Sequence, residues 1–378
     1  MRAILGTPKP EPPLFETELS LQTLSEVDHI RARPEGGYTV HYLRRDPERP
    51  HQTTEELVSA DRVIVAAGCV GTNEIMLRSK QRGGLPNLSD RVGYGFSTNG
   101  DWLAFVDETS ERISLTRGPV TTSFGHFNTP EAGAGADPQR FHTIEDNGIP
   151  RAFSNLTGLG VPLLRSLSKG RRGRAFVAWS LILFALKRGP AHMRAFFRNY
   201  LQRQDEFRSE DEFTAKMMCI AGMGREQARG QFRLGGGRRE SALRVARDDG
   251  KGFHEDPIYT EIEATLAKFA SALTEGRRDS FQNPFVSEAA GALGSRSIGL
   301  SHPLGGCRMA NDAAAGVVDE YGRVFDQAAE AGAQFYPGLY ITDASIVPTS
   351  LGVNPSLTIS ALALRAVDKM IEEIRAGG

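Results

Sequence analysis

A histidine in a glycine-rich segment is the first residue of this sequence whose type and setting could do chemistry. His302 lies in SHPLGGCRMA, residues 301–310, directly before a proline and close to two glycines. Proline fixes its own φ and disfavours helix at the preceding residue, while glycine allows positive φ and close approach. The segment therefore predicts a rigid bend, neither regular helix nor strand, that holds an imidazole. An imidazole can transfer protons near neutral pH; a loop histidine making one hydrogen bond is the alternative interpretation.

A second segment combines a buried strand, a glycine turn and a helix start. In DRVIVAAGCVGTNEIMLRS, residues 63–67 form a short continuous apolar run, typical of a buried parallel strand. Gly68 and Gly71 provide the exit turn, and Thr72 or Asn73 can cap a helix predicted over residues 73–80. A phosphate or a ribose can approach the backbone at such a junction.

The C-terminal segment predicts a similar arrangement. Residues 339–342 form a buried-type strand, and a helix is predicted from Ser356 to Arg375. Asp343 follows the strand directly, which favours an Asx turn. The dipeptide Asn354-Pro355 favours a turn or the entry into the helix.

Composition limits the classes of partner. The chain has 378 residues, enough for two domains or one large one, and its net charge of −1 does not indicate a nucleic acid or another polyanion. Its three cysteines, Cys69, Cys219 and Cys307, are too few for a disulfide framework and lack CxxC spacing, so no metal site is predicted. A reducing, cytoplasmic compartment fits this composition, and the first twenty residues lack the apolar core of a signal peptide.

One strongly apolar run lies at residues 174–189. Its uninterrupted part, residues 175–186, is shorter than the roughly 20 residues that span a bilayer. The run predicts a buried helix. The alternative is a lid with basic flanks that contacts a membrane surface or covers an apolar substrate.

The remaining patterns divide the chain into three parts. Residues 18–70 predict a β-hairpin followed by a polar connection at 46–57 and then the buried strand. Residues 100–130 and 214–250 favour antiparallel strands, and 259–276 predict an amphipathic helix ending at a glycine. Alternating α and β elements at both ends with an antiparallel middle indicate a cofactor domain interrupted by a substrate domain.

Four segments in order carry a family resemblance. The three segments around residues 61–79, 301–310 and 339–363, together with GGLPNLSDRVGYGFSTNGD at 83–101, resemble the flavin-dependent glucose–methanol–choline (GMC) oxidoreductases, most of all their cholesterol-oxidase branch. The resemblance covers 18–101 and 295–378. It implies an α/β (α+β) fold with a discontinuous, incomplete Rossmann-like FAD-binding domain (1–100 and 295–378) around a mainly antiparallel-sheet substrate domain covered by helices (101–294).

The resemblance implies oxidation of an alcohol CH–OH group with FAD as cofactor. It makes His302 the group that takes the hydroxyl proton and Asn354 its partner, which orients the alcohol oxygen. Glu145 matches the substrate-domain carboxylate of sterol oxidases, and a surface acid is the alternative. Pro355 would aim the positive end of the following helix at the flavin. The implied cofactor-binding residues are Val27, Ala67, Gly68, Asn99, Gly100, Asp343, Ala344, Asn354, Pro355 and Ser356.

One departure from the family pattern widens the functional hypotheses. No G-x-G-x-x-G opens a helix after a strand, and GGGRRE at 235–240 lies in a basic, antiparallel stretch. The leading hypothesis is the C-terminal portion of an alcohol oxidoreductase acting on a bulky apolar alcohol such as a sterol. The alternatives are a non-catalytic subunit whose partner chain supplies the Rossmann half, a GMC dehydrogenase with a non-sterol substrate, and a membrane-peripheral lipid-binding protein.

Overall fold

The structure, a computed structural model, describes residues 20–49, 51–113, 115–116, 118–129, 137–150, 215–235, 243–277, 300–328 and 334–376. In chain order its strands are β1 (Ser25–Ala32), β2 (Tyr38–Arg45), β3 (Thr53–Ala60), β4 (Val63–Val65), β5 (Tyr94–Ser97), β6 (Trp102–Asp107), β7 (Phe124–Phe127), β8 (His142–Asn147), β9 (Met217–Gly224), β10 (Gly230–Leu234), β11 (Leu243–Arg247), β12 (Leu304–Gly306), β13 (Arg323–Phe325) and β14 (Phe335–Ile341). The α-helices of these residues are α1 (Gly68–Gln81), α2 (Pro257–Leu273) and α3 (Ser356–Arg375).

The N-terminal sheet is an antiparallel meander in the order β1-β2-β3. Its first hairpin confirms the prediction for this region. The polar connection predicted at 46–57 is wrong from residue 53 onward, because β3 pairs with β2 along its whole length. Most side chains of β3 are exposed, so it lacks the apolar alternation by which a strand is recognised in a sequence.

A small mixed sheet joins the two ends of the chain. Strand β4 pairs in parallel with β14, Val63 opposite Leu339 and Val65 opposite Ile341, which confirms the predicted parallel strand over three residues. The predicted burial of the whole run is wrong, because Val65 is buried but Ile64 is 54 % exposed. Helix α1 packs beside this sheet in a core that includes Met76 and Leu339. The helix begins at Gly68, five residues before the predicted start. Thr72, one of the two residues predicted to cap the helix, therefore lies inside its first turns.

The antiparallel middle of the chain forms a four-stranded sheet in the order β6-β9-β8-β7, with α2 on one face. Strand β8 was not among the predicted elements. Helix α2 begins at Pro257 after the N-cap Asp256, whose side chain accepts from the Ile258 N–H, and buries Ile262 and Leu266 fully. The helix thus starts two residues before the predicted segment and ends at Leu273, before the predicted glycine. The apolar stripe is confirmed at Ile262 and Leu266, whereas Phe269 is exposed.

A second four-stranded sheet, β11-β10-β5-β12, carries the histidine segment. Leu304 in β12 pairs with Ser97 in β5, so the prediction that this segment contains no strand is wrong over three residues. Gly305 has φ of 81°, and a Cβ there would collide with the carbonyl oxygen of Gly95. The pairing brings the residues that follow β5 next to those that precede β12.

Helix α3 ends the described part of the chain and has the bounds that the sequence predicts. Its buried residues Ala366 and Met370 pack on Tyr340 of β14. The opposite side exposes large apolar side chains, which are Leu357, Leu364, Val367, Ile371 and Ile374. Within the described residues no helix is long and apolar enough to cross a bilayer, and the apolar run at 174–189 lies outside them.

Candidate active site

The imidazole of His302 is held by a buried carboxylate. Its Nδ1 lies 2.8 Å from Asp101 Oδ1, and its backbone N–H donates to Asp101 Oδ2 over 2.7 Å. Asp101 follows β5 and precedes β6, so the pairing of β5 with β12 places these two residues together. Asp101 has no predicted role, although it is the last residue of the segment quoted at 83–101. Only the contact across about 200 residues identifies it.

Opposing effects determine the protonation of His302. Burial lowers the pKa of its imidazole, while the hydrogen bond and the negative charge of Asp101, together with the charge of Glu145, raise it. The raising effects are stronger, so the pKa of His302 lies above its ordinary value of 6.5. The His302 side chain is partly buried, and the 24 % of it that is exposed leaves the ring accessible to a substrate.

The structure also brings together the other two residues predicted to be catalytic. Asn354, just before α3, donates from Nδ2 to Glu145 Oε2 over 2.8 Å. Glu145 is buried in β8, whereas Asn354 is exposed. Glu145 is therefore not the surface acid of the alternative interpretation. The catalytic roles of His302, Asn354 and Glu145 remain predictions that their geometry supports.

A mainly apolar cavity of about 310 Å³ adjoins His302 and Asp101. Its lining includes Leu103, Ala221 and Cys219. The register of the β6-β9-β8 sheet places Leu103, Ala221 and Glu145 side by side on one face of the sheet, while the other face packs on α2. One end of an apolar molecule bound in this cavity would meet the imidazole.

Asp343 ties together the strand–helix junction at which a nucleotide is predicted to bind. Asp343 Oδ2 accepts from the Gly68 N–H over 3.0 Å and from the Thr72 hydroxyl, which ties the end of β14 to the start of α1. Asp343 Oδ1 accepts from the Ser345 N–H over 2.9 Å, which confirms the predicted Asx turn. Ala67 and Gly68 are exposed, and open space lies where a Cβ of Gly68 would be.

These features fit FAD, the cofactor that the resemblance implies. Neither α1 nor α3 has an N-cap side chain that accepts from its first turn, although the Gly68 N–H of α1 donates to Asp343 Oδ2. Free N–H groups at helix starts suit phosphate and carbonyl oxygens. Ala67 and Gly68 would hold the nucleotide part, and Pro355 and Ser356 the flavin end. Contacts of Asp343 and Ala344 with the cofactor remain predictions.

Asn99 has a different observed role from the predicted cofactor contact. Its side chain is fully buried, donates from Nδ2 to the Val353 carbonyl over 2.9 Å, and accepts at Oδ1 from the N–H groups of Leu351 and Gly352 over 2.9 Å each. Asn99 thereby holds the loop that leads to Asn354. Cofactor contacts of Asn99 and its neighbour Gly100 stay predictions.

Val27 and the cysteines complete the set of candidate residues. Val27 lies in β1 and packs against the core beside α1; its predicted adenine contact stays a prediction. All three cysteines are buried, and burial raises the pKa of the Cys219 thiol to about 12 and that of Cys307 far above its ordinary value. These thiols act as packing residues.

Comparison with known proteins identifies the class. Residues 242–363 match the family model of the GMC oxidoreductases, in the C-terminal domain. This part of the chain is therefore similar to the C-terminal domain of the GMC oxidoreductases, a family of FAD-dependent enzymes. The recognition made from the sequence motifs is confirmed.

The individual relatives are oxidases and dehydrogenases of alcohols. Cholesterol oxidases of Acinetobacter baumannii and Mycobacterium tuberculosis are 28% identical over 305 and 333 residues, covering 81% and 87% of this chain and 46% and 48% of theirs. A 2-methyl-1,2-propanediol dehydrogenase of Mycolicibacterium austroafricanum is 25% identical over 361 residues, 92% of this chain and 53% of that one. The chain thus spans about half the length of these curated relatives.

A solved structure supports the fold alone. Pyridoxine 4-oxidase from Mesorbium loti superposes with a TM-score of 0.52 at 14% identity, over 91% of this chain and 57% of that one. The mixed α/β architecture with antiparallel sheets is thereby confirmed. The discontinuous FAD-binding domain and its boundaries stay predictions.

Proposed function

We propose that this chain is the C-terminal portion of an FAD-dependent oxidoreductase that oxidises the CH–OH group of a bulky apolar alcohol, with sterols as the substrate class. The observation that carries the proposal is the position of His302 and Asp101 beside an apolar cavity of about 310 Å³. The similarity to cholesterol oxidases over most of the chain supports the substrate class.

The residues of the chain divide the reaction between them. FAD, when bound, supplies the acceptor for the hydride that leaves the alcohol carbon. His302 accepts the hydroxyl proton, because its imidazole has a raised pKa and an exposed edge. Asn354 uses one N–H on Glu145 and keeps its second N–H for the alcohol oxygen. The apolar face of the β6-β9-β8 sheet binds the hydrocarbon body and excludes water.

The test measures hydroxysteroid oxidation by the purified protein carrying FAD. His302→Gln removes the proton acceptor and is expected to lower the turnover by about 10²- to 10⁴-fold. His254→Gln, a change in the short 3₁₀ turn before α2, serves as the matched control and should keep the wild-type rate. Turnover of His302→Gln near that of the control would reject the catalytic assignment, and a panel of non-steroid alcohols tests the alternative substrate class.

A second candidate function is that of a subunit whose partner chain supplies the nucleotide-binding half. Two observations favour it: α3 exposes a row of apolar side chains, and β4 has no neighbour on its outer side within the described residues. In that case the isolated chain is colourless and copurifies with a Rossmann-containing polypeptide. A visible flavin absorbance spectrum of the isolated chain would reject this candidate.

Membrane contact and cellular location belong to the same proposal. Contact of residues 174–189 with a membrane surface is tested by cosedimentation with liposomes of neutral and anionic lipid. A cytoplasmic location is tested by fractionation of cells that express the full-length protein.

A further inference from the structure

Asp101 contacts the histidine segment both at its backbone and at the imidazole of His302. Its Oδ2 accepts from the backbone N–H groups of Ser301 and His302, over 2.6 and 2.7 Å, and from the Ser301 hydroxyl over 3.1 Å. Its Oδ1 faces His302 Nδ1 at 2.8 Å. The carboxylate is buried, and two backbone N–H groups fix its orientation. The imidazole therefore contacts a carboxylate whose orientation is fixed by the backbone.

The chemistry of these partners determines which ring nitrogen carries the proton. A carboxylate only accepts hydrogen bonds, so Nδ1 must donate and Nε2 is left without a proton in the neutral ring. The Ser301 hydroxyl, 3.2 Å from Nδ1, can direct its own hydrogen to Asp101 and does not oppose this tautomer.

We propose that Asp101 is a positioning residue that holds His302 as the Nδ1–H tautomer, so that Nε2 is free to take the hydroxyl proton of the substrate. The proposal rests on the proposed function for the proton transfer, whereas the tautomer is a property of the chain itself. In the step, the O–H proton would move to Nε2, and the C–H hydrogen would leave with its electron pair as a hydride, for which FAD, when bound, would supply the acceptor. The imidazolium that forms lies against the Asp101 carboxylate, which stabilises it.

The electrostatic surroundings agree with this geometry. The charged groups that act on His302 are Asp101 and Glu145, and both carboxylates favour the imidazolium. Burial opposes them. Asp101 acts by direct contact and by charge, whereas Glu145 acts by charge alone.

The variant Asp101→Asn offers a sharp test because it keeps the shape of the side chain. The two backbone N–H groups select the amide oxygen at the Oδ2 position, so the amide NH₂ faces His302 Nδ1. Nδ1 must then accept, and the neutral ring changes to the Nε2–H tautomer. We also expect the pKa of His302 to fall below that of the wild type, since a negative charge is lost.

The measurement is long-range ¹H–¹⁵N NMR of the imidazoles in the ¹⁵N-labelled full chain across a pH titration, with His302 assigned from His302→Gln. Asp146→Asn is the matched control, since that acid binds Thr122 and Ser123 instead. The expected result is Nδ1–H in the wild type and the control, and Nε2–H with a lowered pKa in Asp101→Asn. Nε2–H in the wild type, or an unchanged tautomer in Asp101→Asn, overturns the proposal.

A second measurement separates this proposal from the proposed function. In the FAD-loaded protein, Asp101→Asn should lower kcat by about 10²- to 10⁴-fold and shift the pH–rate profile, with KM almost unchanged. Wild-type protein that shows the Nδ1–H tautomer but oxidises no alcohol would reject the function and leave the positioning role intact. If Asp101→Asn does not fold, the wild-type tautomer alone decides.

Discussion

Around His302, two buried carboxylates act on one imidazole from different distances. Asp101 touches the ring, whereas Glu145 is bonded to Asn354 and acts on the ring by its charge. The two acids therefore have separable effects. Asp101 determines both the tautomer and the proton affinity, and Glu145 contributes only to the proton affinity.

The first prediction concerns Glu145→Gln. Loss of its charge should lower the pKa of His302 by less than Asp101→Asn does, because no direct hydrogen bond to the ring is lost. The tautomer should stay Nδ1–H. The same NMR titration measures both quantities, with Asp146→Asn as the control. A tautomer change in Glu145→Gln would contradict the separation of the two roles.

The second prediction uses His142, a histidine outside the cavity. Its ring lies between the Arg140 carbonyl and the Thr265 hydroxyl, each 2.8 Å away, and stacks on Phe127. Burial lowers its pKa, outweighing the Arg140 carbonyl and the charge of Glu261, which raise it. The unfolded chain thus binds this proton more readily below its ordinary pKa of 6.5, and stability falls as the pH drops through that value.

In His142→Gln this source of acid sensitivity is absent. The free energy of unfolding, measured in urea at about pH 7.5 and about pH 5.5, should fall less in the variant than in the wild type. His51→Gln, at an exposed position, should keep the wild-type pH dependence. An unchanged difference between the two pH values in His142→Gln would show that folding does not lower the pKa of this ring.

Single residues also show how far the sequence could predict the site. His302 and Asn354 stand in recognisable motifs, and the structure puts each beside a carboxylate. Asp101 could not be found in this way, because its role depends on the register of β12 against β5. Asn99 was predicted from its motif to contact the flavin, but the observed role of its side chain is to hold the loop before Asn354.

At the scale of elements, Gly305 links β12 to its neighbours. Its left-handed φ places it against the Gly95 carbonyl, and its own carbonyl accepts from Cys69 Sγ at 3.2 Å and Asn73 Nδ2 at 3.0 Å. Both donors belong to α1. The histidine segment is therefore fixed from two sides, by β5 and by the first turns of α1.

The third prediction compares two left-handed glycines. Gly250→Ala, at φ of 73° with no atom near the new methyl group, should cost about 1–2 kcal/mol of unfolding free energy. Gly305→Ala should cost clearly more, because its methyl group collides with the Gly95 carbonyl and displaces β12. Urea denaturation measures both variants. Equal losses would mean that β12 moves without strain.

Elements with strong periodicity were predicted from the sequence and others were not. Ile262 and Leu266 of α2 are buried as predicted, β4 pairs in parallel as predicted, and α3 has the predicted bounds. Strand β3 was missed because its exposed surface carries no such pattern. Helix starts depend on capping contacts, and Thr72, expected to cap α1, instead bonds to Asp343 from inside the helix.

For the whole molecule, the exposed side of α3 is the most informative surface. Leu357, Leu364 and Ile371 are seven residues apart, and so are Val367 and Ile374, which places all five in one stripe. Leu357 is 85 % exposed. A stripe of this kind is typical of a helix that packs against a further element.

The fourth prediction concerns this stripe in the isolated chain. The wild type should enhance the fluorescence of the dye ANS, and Leu364→Lys combined with Ile371→Lys should reduce that enhancement by removing apolar surface. Val245→Lys, at an exposed position of β11, is the matched control. Circular dichroism checks that the fold is kept. Equal dye binding by all three proteins would show that the stripe is not accessible in solution.

The wall of the cavity and the imidazole beside it lie on different elements of the chain, and this separation affects how the range of substrates can change. The wall comes from one face of a sheet, with Leu103 and Ala221 side by side, whereas the imidazole stands on a separate segment before β12. A larger or smaller side chain at Ala221 changes the size of the cavity and leaves His302 and Asp101 in place. Under the proposed function, single substitutions in the wall can therefore change the range of substrates without changing the groups that transfer the proton.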